Sequence, residues 1–363
     1  MEHALIFDAH LDLAMNAIEW NRDLTQPLEA IRRREATWRD KADRGKGVVS
    51  FPAMRSGRIG LCIATQIARY SYAGHSEPGW HSREIAWAVT QAQLAWYRAM
   101  ERIGELRMIR TQAELRASVD AWTGTADDAP QGRPPIGYVL SLEGADSILS
   151  PDHLEQSYRD GLRAIGPAHY GPGVYCPGTG AEGSFTPEGR SLLKDMQQLG
   201  MALDVTHLTD EAFWEALDSF DGPIWASHSN CRSLVPDQRQ LTDEQIQALA
   251  ARDAVIGVVL DAWMLVPGWV RGKTTPEEAG VTLEAAADHV DHVCQLLGTT
   301  RHTGIGTDLD GGFGREQAPL DVASIADVRR LLSILEQRGY RPDDLDGIAH
   351  ANWVRKLEAT LPE

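Results

Sequence analysis

The sequence predicts an α/β fold, and more specifically a TIM-type (β/α)8 barrel with helical and loop excursions. Short apolar, β-rich segments alternate with longer helical patterns, and the strand-like segments are apolar on both faces, as in a parallel sheet covered by helices. Eight such segments are the number that closes a barrel. They are residues 4–12, 58–68, 135–144, 161–170, 201–208, 223–229, 254–263 and 302–311. A doubly wound open sheet is the alternative that this pattern leaves open.

Helical patterns fill the intervals between these strands. Several of them begin after a Thr or Asp that can serve as an N-cap, because its side-chain oxygen accepts a hydrogen bond from a free backbone N–H. The predicted helices are residues 83–103, 189–199, 209–219, 242–252, 282–297 and 321–338.

Two stretches, residues 20–56 and 70–82, interrupt the alternation, and we expect them to be excursions above the barrel. Residues 1–363 are therefore predicted to form one barrel domain. The basic run IRRREATWRDKADRGKG within the first excursion is interpreted as a solvated helix face. Residues 123–135, rich in turn formers, are expected to be a surface linker before the third strand.

Composition narrows the function classes. The 363 residues are 43% hydrophobic and 24% charged, which is ordinary for a globular protein with a large core. The net charge of −17 repels phosphate backbones and anionic lipid, so we expect neither a nucleic-acid partner nor a membrane-surface partner. An acidic substrate remains compatible with this net charge, because one arginine can determine the electrostatic potential inside a pocket.

Cysteine usage and the N-terminal residues bear on the compartment. Cys62, Cys176, Cys231 and Cys294 are far apart without C-x-x-C spacing, so we expect reduced core residues. The first residues lack the basic and apolar regions of a signal peptide, and no apolar run approaches membrane-spanning length. The prediction is a cytoplasmic enzyme. A homodimer is one alternative for its oligomeric state.

Polar side chains cluster where the predicted strands end. In a barrel these carboxyl ends converge on one face, which is where the active sites of this fold lie. Four histidines and three carboxylates are too many for one zinc ion, which takes four ligands, but they suit two ions bridged by a carboxylate. Burying a carboxylate such as Glu143 is costly unless it is paired or bound to metal. The residues at strand ends are His10, Asp12, Glu143, His169, His207, His228 and Asp308.

Alternatives remain for single residues. His10 and Asp12, two apart on a strand, could be a hydrogen-bonded pair, and His207 or His228 alone could be a core histidine. Asp310 is interpreted as a turn-stabilising carboxylate. The Gly-rich residues 171–183 lack the ending of a phosphate loop, so we expect a mobile pocket wall there.

Six motifs in chain order resemble the membrane dipeptidase (renal dipeptidase) family of zinc peptidases, within the amidohydrolase-like barrels: FDAHLDL, SLEGADS, GLRAIGPAHYG, GMALDVTHLT, ASHSNCR and GIGTDLDGGFG. The resemblance implies two zinc ions, one bound by His10 and Asp12, the other by His207 and His228, with Glu143 bridging both. It also implies that His169 contacts the scissile region, that Asp308 is the acid/base carboxylate and that Arg239 binds the substrate carboxylate.

The function expected from the resemblance is hydrolysis of small dipeptides. The residues after Arg239 depart from the family pattern. If this departure removes carboxylate recognition, the alternative is a binuclear zinc hydrolase of a cyclic or modified amide. A metal-binding scaffold without turnover is a third hypothesis, disfavoured because every metal and proton-transfer position is filled.

Overall fold

A computed structural model describes residues 4–72, 78–124 and 133–363 of the chain. Its parallel strands form one sheet, and nearly all residues of the strands are buried. The strands are β1 (Ile6–Leu11), β2 (Ile59–Ile67), β3 (Leu106–Met108), β4 (Ile136–Glu143), β5 (Leu162–Gly166), β6 (Ala202–Asp204), β7 (Ile224–Trp225), β8 (Ile256–Val258) and β9 (Thr303–Ile305).

The sheet closes into a barrel. Its strand order is β7-β6-β5-β4-β2-β1-β9-β8, and a parallel β-bridge between Ala226 and Ile256 connects the two ends of this order. The predicted eight-stranded barrel is therefore confirmed, and the open-sheet alternative is wrong. Strand β3 is an addition that the sequence analysis missed; it lies outside the barrel order and pairs with the start of β4.

Helices cover the outside of the barrel. The helices are α1 (Leu13–Ile18), α2 (Leu28–Glu35), α3 (Phe51–Ser56), α4 (Arg83–Arg102), α5 (Gln112–Thr123), α6 (Pro151–Asp160), α7 (Pro187–Gln198), α8 (Asp210–Ser219), α9 (Asp243–Ala251), α10 (Pro276–Ala279), α11 (Leu283–Leu297), α12 (Arg329–Gln337), α13 (Pro342–Asp346) and α14 (Asn352–Glu358). Short 3-10 turns occur at Ala145–Ser147, Ala262–Met264, Arg315–Gln317 and Ile325–Val328, and a π-helical turn at Gly347–Ala351 joins α13 to α14.

Local sequence explains where several of these helices begin. The side chains of Ser82, Thr209 and Thr242 accept hydrogen bonds from backbone N–H groups at the starts of α4, α8 and α9. The predicted helix at 321–338 is only partly α-helical, because α12 follows the 3-10 turn at Ile325–Val328.

Close packing inside the barrel depends on two glycines. A Cβ atom on Gly257 would lie 2.0 Å from the carbonyl oxygen of Ser227, and one on Gly306 would lie 1.8 Å from the same oxygen. Both distances are far below van der Waals contact, so a larger residue would displace the segment that carries His228.

The excursion at 20–56 is attached to the barrel by a buried network of charged residues. Arg22 donates to Glu35 at 2.9 Å and to Asp43 at 2.7 Å, and it lies 3.6 Å from the carboxylate of Asp310. Asp310 accepts hydrogen bonds from the backbone N–H groups of residues 48 and 49. The basic run is thus only partly a solvated face, because Glu35 at its helix end is buried.

Two other sequence expectations concern cysteines and membranes. All four cysteines are buried and unpaired, as predicted. Within the ranges given above, none of the helices combines the length and apolar character needed to cross a lipid bilayer. The second excursion at 70–82 and the linker at 123–135 fall partly outside the described residues.

Candidate active site

The seven residues predicted at strand ends come together at the carboxyl end of the barrel, but several strands are shorter than predicted. His10 lies within β1, and Glu143 is the last residue of β4. The remaining members follow their strands by one to three residues. His169, His207, His228 and Asp308 each lie three residues after the end of β5, β6, β7 and β9, and Asp12 directly follows β1.

Glu143 lies at the centre of this cluster, and its two oxygens face different groups. Oε1 is 3.3 Å from Nε2 of His207 and 3.5 Å from Nε2 of His228. Oε2 is 3.5 Å from Nε2 of His10. The carboxylate therefore lies between two sets of ligand-type atoms.

The first set consists of Glu143, His207 and His228. The Nε2 atoms of the two histidines are 3.3 Å apart, so the three donor atoms form a nearly equilateral triangle. Donors that share one ion at about 2.0–2.2 Å in a tetrahedron lie about 3–4 Å apart. This triangle therefore fits three of the four corners around a zinc-sized cation.

The second set surrounds His10. Its Nε2 is buried, makes no hydrogen bond to any residue within the described ranges, and lies 3.5 Å from Glu143, 3.7 Å from Asp308 and 3.9 Å from Asp12. A buried nitrogen without a partner costs free energy, and these distances are too long for hydrogen bonds but suitable for a shared ion. The group formed by His10, Asp12 and Glu143 thus fits a second cation.

Hydrogen bonds on the far side of each imidazole direct Nε2 toward the cluster. Nδ1 of His207 is 2.8 Å from the hydroxyl of Thr179, and Nδ1 of His228 is 2.8 Å from the hydroxyl of Ser227. The hydroxyl of Thr65 donates to Asp12. Outer partners of this kind orient metal-binding side chains in proteins.

The electrostatics of the cluster favour a cation. Burial lowers the pKa of both His207 and His228 well below its ordinary value, which keeps these rings neutral and able to bind metal. Burial together with neighbouring Glu143 raises the pKa of Asp12 to about 6. Although burial opposes it, the charges of Glu143, Asp12 and Asp308 raise the pKa of His10 to about 10.

Asp308 lies beside the second set. Its Oδ1 is 3.7 Å from Nε2 of His10, and its backbone is in the left-handed region with φ of 57°. Burial and the nearby charges of Asp12 and Glu143 raise the pKa of Asp308 well above its ordinary value, despite the opposing effect of His10. A carboxyl group with a raised pKa is suited to acid/base chemistry. The same carboxylate is close enough to His10 and His228 to be a ligand as well.

His169 and Arg239 complete the predicted set. His169 faces Glu143 with Nε2 4.0 Å from Oε2, and its Nδ1 contacts the guanidinium of Arg69. Arg239 is buried. Its Nη1 donates to Ser229 at 3.1 Å and its Nη2 donates to the carbonyl of His228 at 2.7 Å, while Nε has no partner in the part of the chain that the structure describes.

A cavity of about 200 Å³ opens onto the cluster. Its walls include several residues that sequence reasoning missed, namely Tyr170, Asp261, Arg271 and Gln317. One signal was present: Asp261 is a carboxylate near the end of the predicted strand 254–263, the same pattern that identified the other strand-end residues. The remaining wall residues lie in loops whose paths the sequence pattern does not predict.

Three sequence interpretations need correction or refinement. Asp310 does not stabilise its own turn; it accepts hydrogen bonds from the backbone of residues 48 and 49 and is turned away from the cluster. The Gly-rich loop 171–183 does not line the cavity of about 200 Å³, but its Pro172 and Gly173 line a small pocket beside His169 and Glu143, and the loop supplies Thr179 to His207. Asp12 and His10 are not a hydrogen-bonded pair, because their side-chain atoms are 3.9 Å apart.

Known proteins resemble this chain in sequence and in fold. The sequence model of the membrane dipeptidase family (peptidase family M19) matches residues 1–361. An uncharacterised protein from the pqqA 5′ region of Klebsiella pneumoniae is 31% identical over 232 residues, covering 61% of this chain and 82% of that protein. Dipeptidase aclJ of Aspergillus oryzae is 25% identical over 359 residues, covering 96% of this chain and 76% of that protein. The solved structure of dipeptidase AC, a metallopeptidase of family M19, has a TM-score of 0.77 at 24% identity and covers 100% of both chains.

Proposed function

The chain belongs to the membrane dipeptidase family, peptidase family M19, and from this premise we propose that it is a binuclear zinc dipeptidase acting on small dipeptides. The observation that supports the binuclear site most strongly is the position of Glu143. One of its oxygens faces His207 and His228 while the other faces His10. A carboxylate placed in this way is suited to bridge two ions.

The proposed ligands follow from the two sets of donor atoms. His10 and Asp12 hold one zinc ion, His207 and His228 hold the other, and Glu143 is shared by both. When bound, the two ions polarise the scissile carbonyl and lower the pKa of a water molecule toward neutrality.

The protein residues have separate roles in the proposed reaction. His169 donates a hydrogen bond from Nε2 to the carbonyl oxygen as negative charge develops on it. Asp308 transfers a proton to the leaving amine, in agreement with its raised pKa. Arg239 binds the C-terminal carboxylate of the substrate, because it lines the cavity and its Nε makes no hydrogen bond to any residue that the structure describes.

The size of the cavity supports a small substrate. Pockets for drug-sized ligands typically measure about 300–1,000 Å³, whereas this cavity measures about 200 Å³. A dipeptide fits into a cavity of this volume better than a longer peptide does.

One specific observation keeps an alternative open. Nη1 and Nη2 of Arg239 already donate to Ser229 and to the backbone of His228, so fewer donors remain for a substrate carboxylate. If Arg239 only supports the loop, the function is hydrolysis of a cyclic or modified amide. A scaffold without turnover is the third hypothesis.

The test of the proposal is metal-dependent hydrolysis of a dipeptide library. Protein stripped by a chelator is reloaded with zinc, and release of free amino acids is measured before and after reloading. We expect turnover that requires metal and reaches its maximum near two zinc ions per chain. Zinc binding without hydrolysis of any dipeptide, cyclic dipeptide or acylated amino acid would favour the scaffold hypothesis.

A further inference from the structure

The outer wall of the cavity carries a second guanidinium, that of Arg271. It lies 4.6 Å above the ring of Trp263 and 5.2 Å above the ring of Tyr170. Its side chain is 48% exposed, unlike the buried Arg239. Two aromatic rings therefore hold a cation at the cavity surface in a restricted orientation.

The hydrogen bonds of Arg271 use only part of its donor capacity. Nη2 donates to the hydroxyl of Tyr170 at 2.7 Å and lies 3.4 Å from Oδ2 of Asp261. Among the residues that the structure describes, none accepts a hydrogen bond from its Nε or Nη1. A guanidinium has five N–H donors, so a flat, partly exposed edge remains for a ligand.

Asp261, the carboxylate partner of Arg271, is already engaged by neighbouring side chains and is not free to bind a substrate. Asp261 is buried, its Oδ1 accepts a hydrogen bond from Gln317 at 2.8 Å, and its Oδ2 faces Arg271. The charged group that this wall presents to a substrate is therefore the guanidinium. A cationic substrate side chain would meet Arg271 before it could reach Asp261.

We propose that Arg271 binds a side-chain carboxylate of the substrate, so that the enzyme prefers dipeptides containing aspartate or glutamate. This inference rests on the proposed function and specifies its substrate class. Arg271 and Arg239 line the same cavity, and both lie near Tyr170. Arg239 is assigned to the main-chain carboxylate, and Arg271 takes the second negative charge. A planar fork binds a carboxylate through two parallel hydrogen bonds, which a lysine cannot reproduce.

The test compares substrates that differ only in one charge: Ala-Glu with Ala-Gln, and Glu-Ala with Gln-Ala. We expect kcat/KM of zinc-loaded enzyme to be about tenfold or more higher for the acidic member of at least one pair. In Arg271→Met this ratio should fall close to one. Arg98→Met is the matched control, because Arg98 is similarly exposed and pairs with Asp160 on the outer surface; it should leave the ratio unchanged.

Binding to the metal-free protein provides a readout that does not require turnover. Calorimetry should show that wild type binds the acidic dipeptide of a pair more tightly than the neutral one. Arg271→Met should bind the two dipeptides equally. Equal values for both members of each pair in wild type would overturn the proposal. So would a preference that survives in Arg271→Met, or a variant that instead loses discrimination between a dipeptide and its C-terminal amide. Hydrolysis of Ala-Ala by wild type tests the dipeptidase assignment separately, so the two failures are distinguishable.

Discussion

The guanidinium of Arg69 contacts Nδ1 of His169 at the edge of the cavity. An arginine side chain only donates hydrogen bonds, so Nδ1 must accept and the ring proton must be on Nε2. Burial, assisted by the charges of Arg69 and Arg239, lowers the pKa of His169 to about 3, which keeps the ring neutral. The Nε2 proton then points toward the region above Glu143 where the substrate carbonyl is expected. Arg69 is thus a positioning residue.

Replacing this arginine should affect catalysis more than binding. In Arg69→Met the other tautomer of His169 becomes accessible. We expect kcat to fall about 10–100-fold, with little change in KM. This loss does not exceed the one caused by removing an oxyanion donor. Arg69→Lys should restore part of kcat because an ammonium also donates to Nδ1. Nitrogen chemical shifts of the His169 ring should show the Nε2–H tautomer in wild type and Arg69→Lys only. An unchanged kcat together with an unchanged tautomer in Arg69→Met would contradict this role.

Removing the central carboxylate charge should weaken both metal sites. Glu143→Gln loses one negative charge between the two sets of donors, so we expect zinc content to drop from near two per chain to well below one under the same loading conditions. Elemental analysis after dialysis measures this. Glu105→Gln is the control, because its carboxylate pairs with Arg55 away from the cavity. A variant that keeps one tightly bound zinc would argue against a bridging role.

Asp308 should matter for proton transfer rather than for metal content. In Asp308→Asn, we expect kcat to fall by about 10²–10⁴ while zinc content stays close to wild type, because an amide cannot deliver the proton. Single-turnover rates and metal analysis of the same preparation measure the two quantities. Loss of zinc in this variant would instead identify Asp308 as a ligand of the ion near His10. A kcat close to wild type would remove it from the mechanism.

Arg239 should select substrates that carry a free C-terminal carboxylate. Charge-assisted hydrogen bonds contribute about 1.5–3 kcal/mol each, so Arg239→Met should lower kcat/KM for dipeptides by about 10²-fold or more. Dipeptide amides, which lack this charge, should be affected much less. The quantity to measure is the ratio of kcat/KM for a dipeptide to that for its amide.

The control for this measurement is an exposed arginine away from the cavity. Arg116 pairs with Glu358 at 3.0 Å on the outer surface, and Arg116→Met should leave the dipeptide-to-amide ratio unchanged. If wild type treats dipeptides and their amides alike, Arg239 does not bind the carboxylate. The broader amide-hydrolase alternative would then be favoured.

The sequence by itself determined the barrel and the core of the candidate site. Strand segments such as 58–68 and 135–144 are recognisable because apolar residues on both faces are stable only in a buried parallel strand. Polar residues that interrupt such segments at their ends, such as His10 and Glu143, are costly to bury without a role. Because a barrel brings all carboxyl strand ends to one face, these local signals were enough to predict which residues meet.

Only the tertiary structure decided what surrounds that core. Arg69 reaches His169 across 100 residues of sequence, and Arg271 reaches Tyr170 across 101. These contacts depend on the paths of loops, which are set by packing between distant segments and leave no periodic pattern in the chain. The orientation of Glu143, with His10 on one side and His207 and His228 on the other, likewise depends on distances between separate strands. So does the ring nitrogen that each histidine presents. Local hydrophobic periodicity carries no information about such distances, so they become fixed only when the barrel closes.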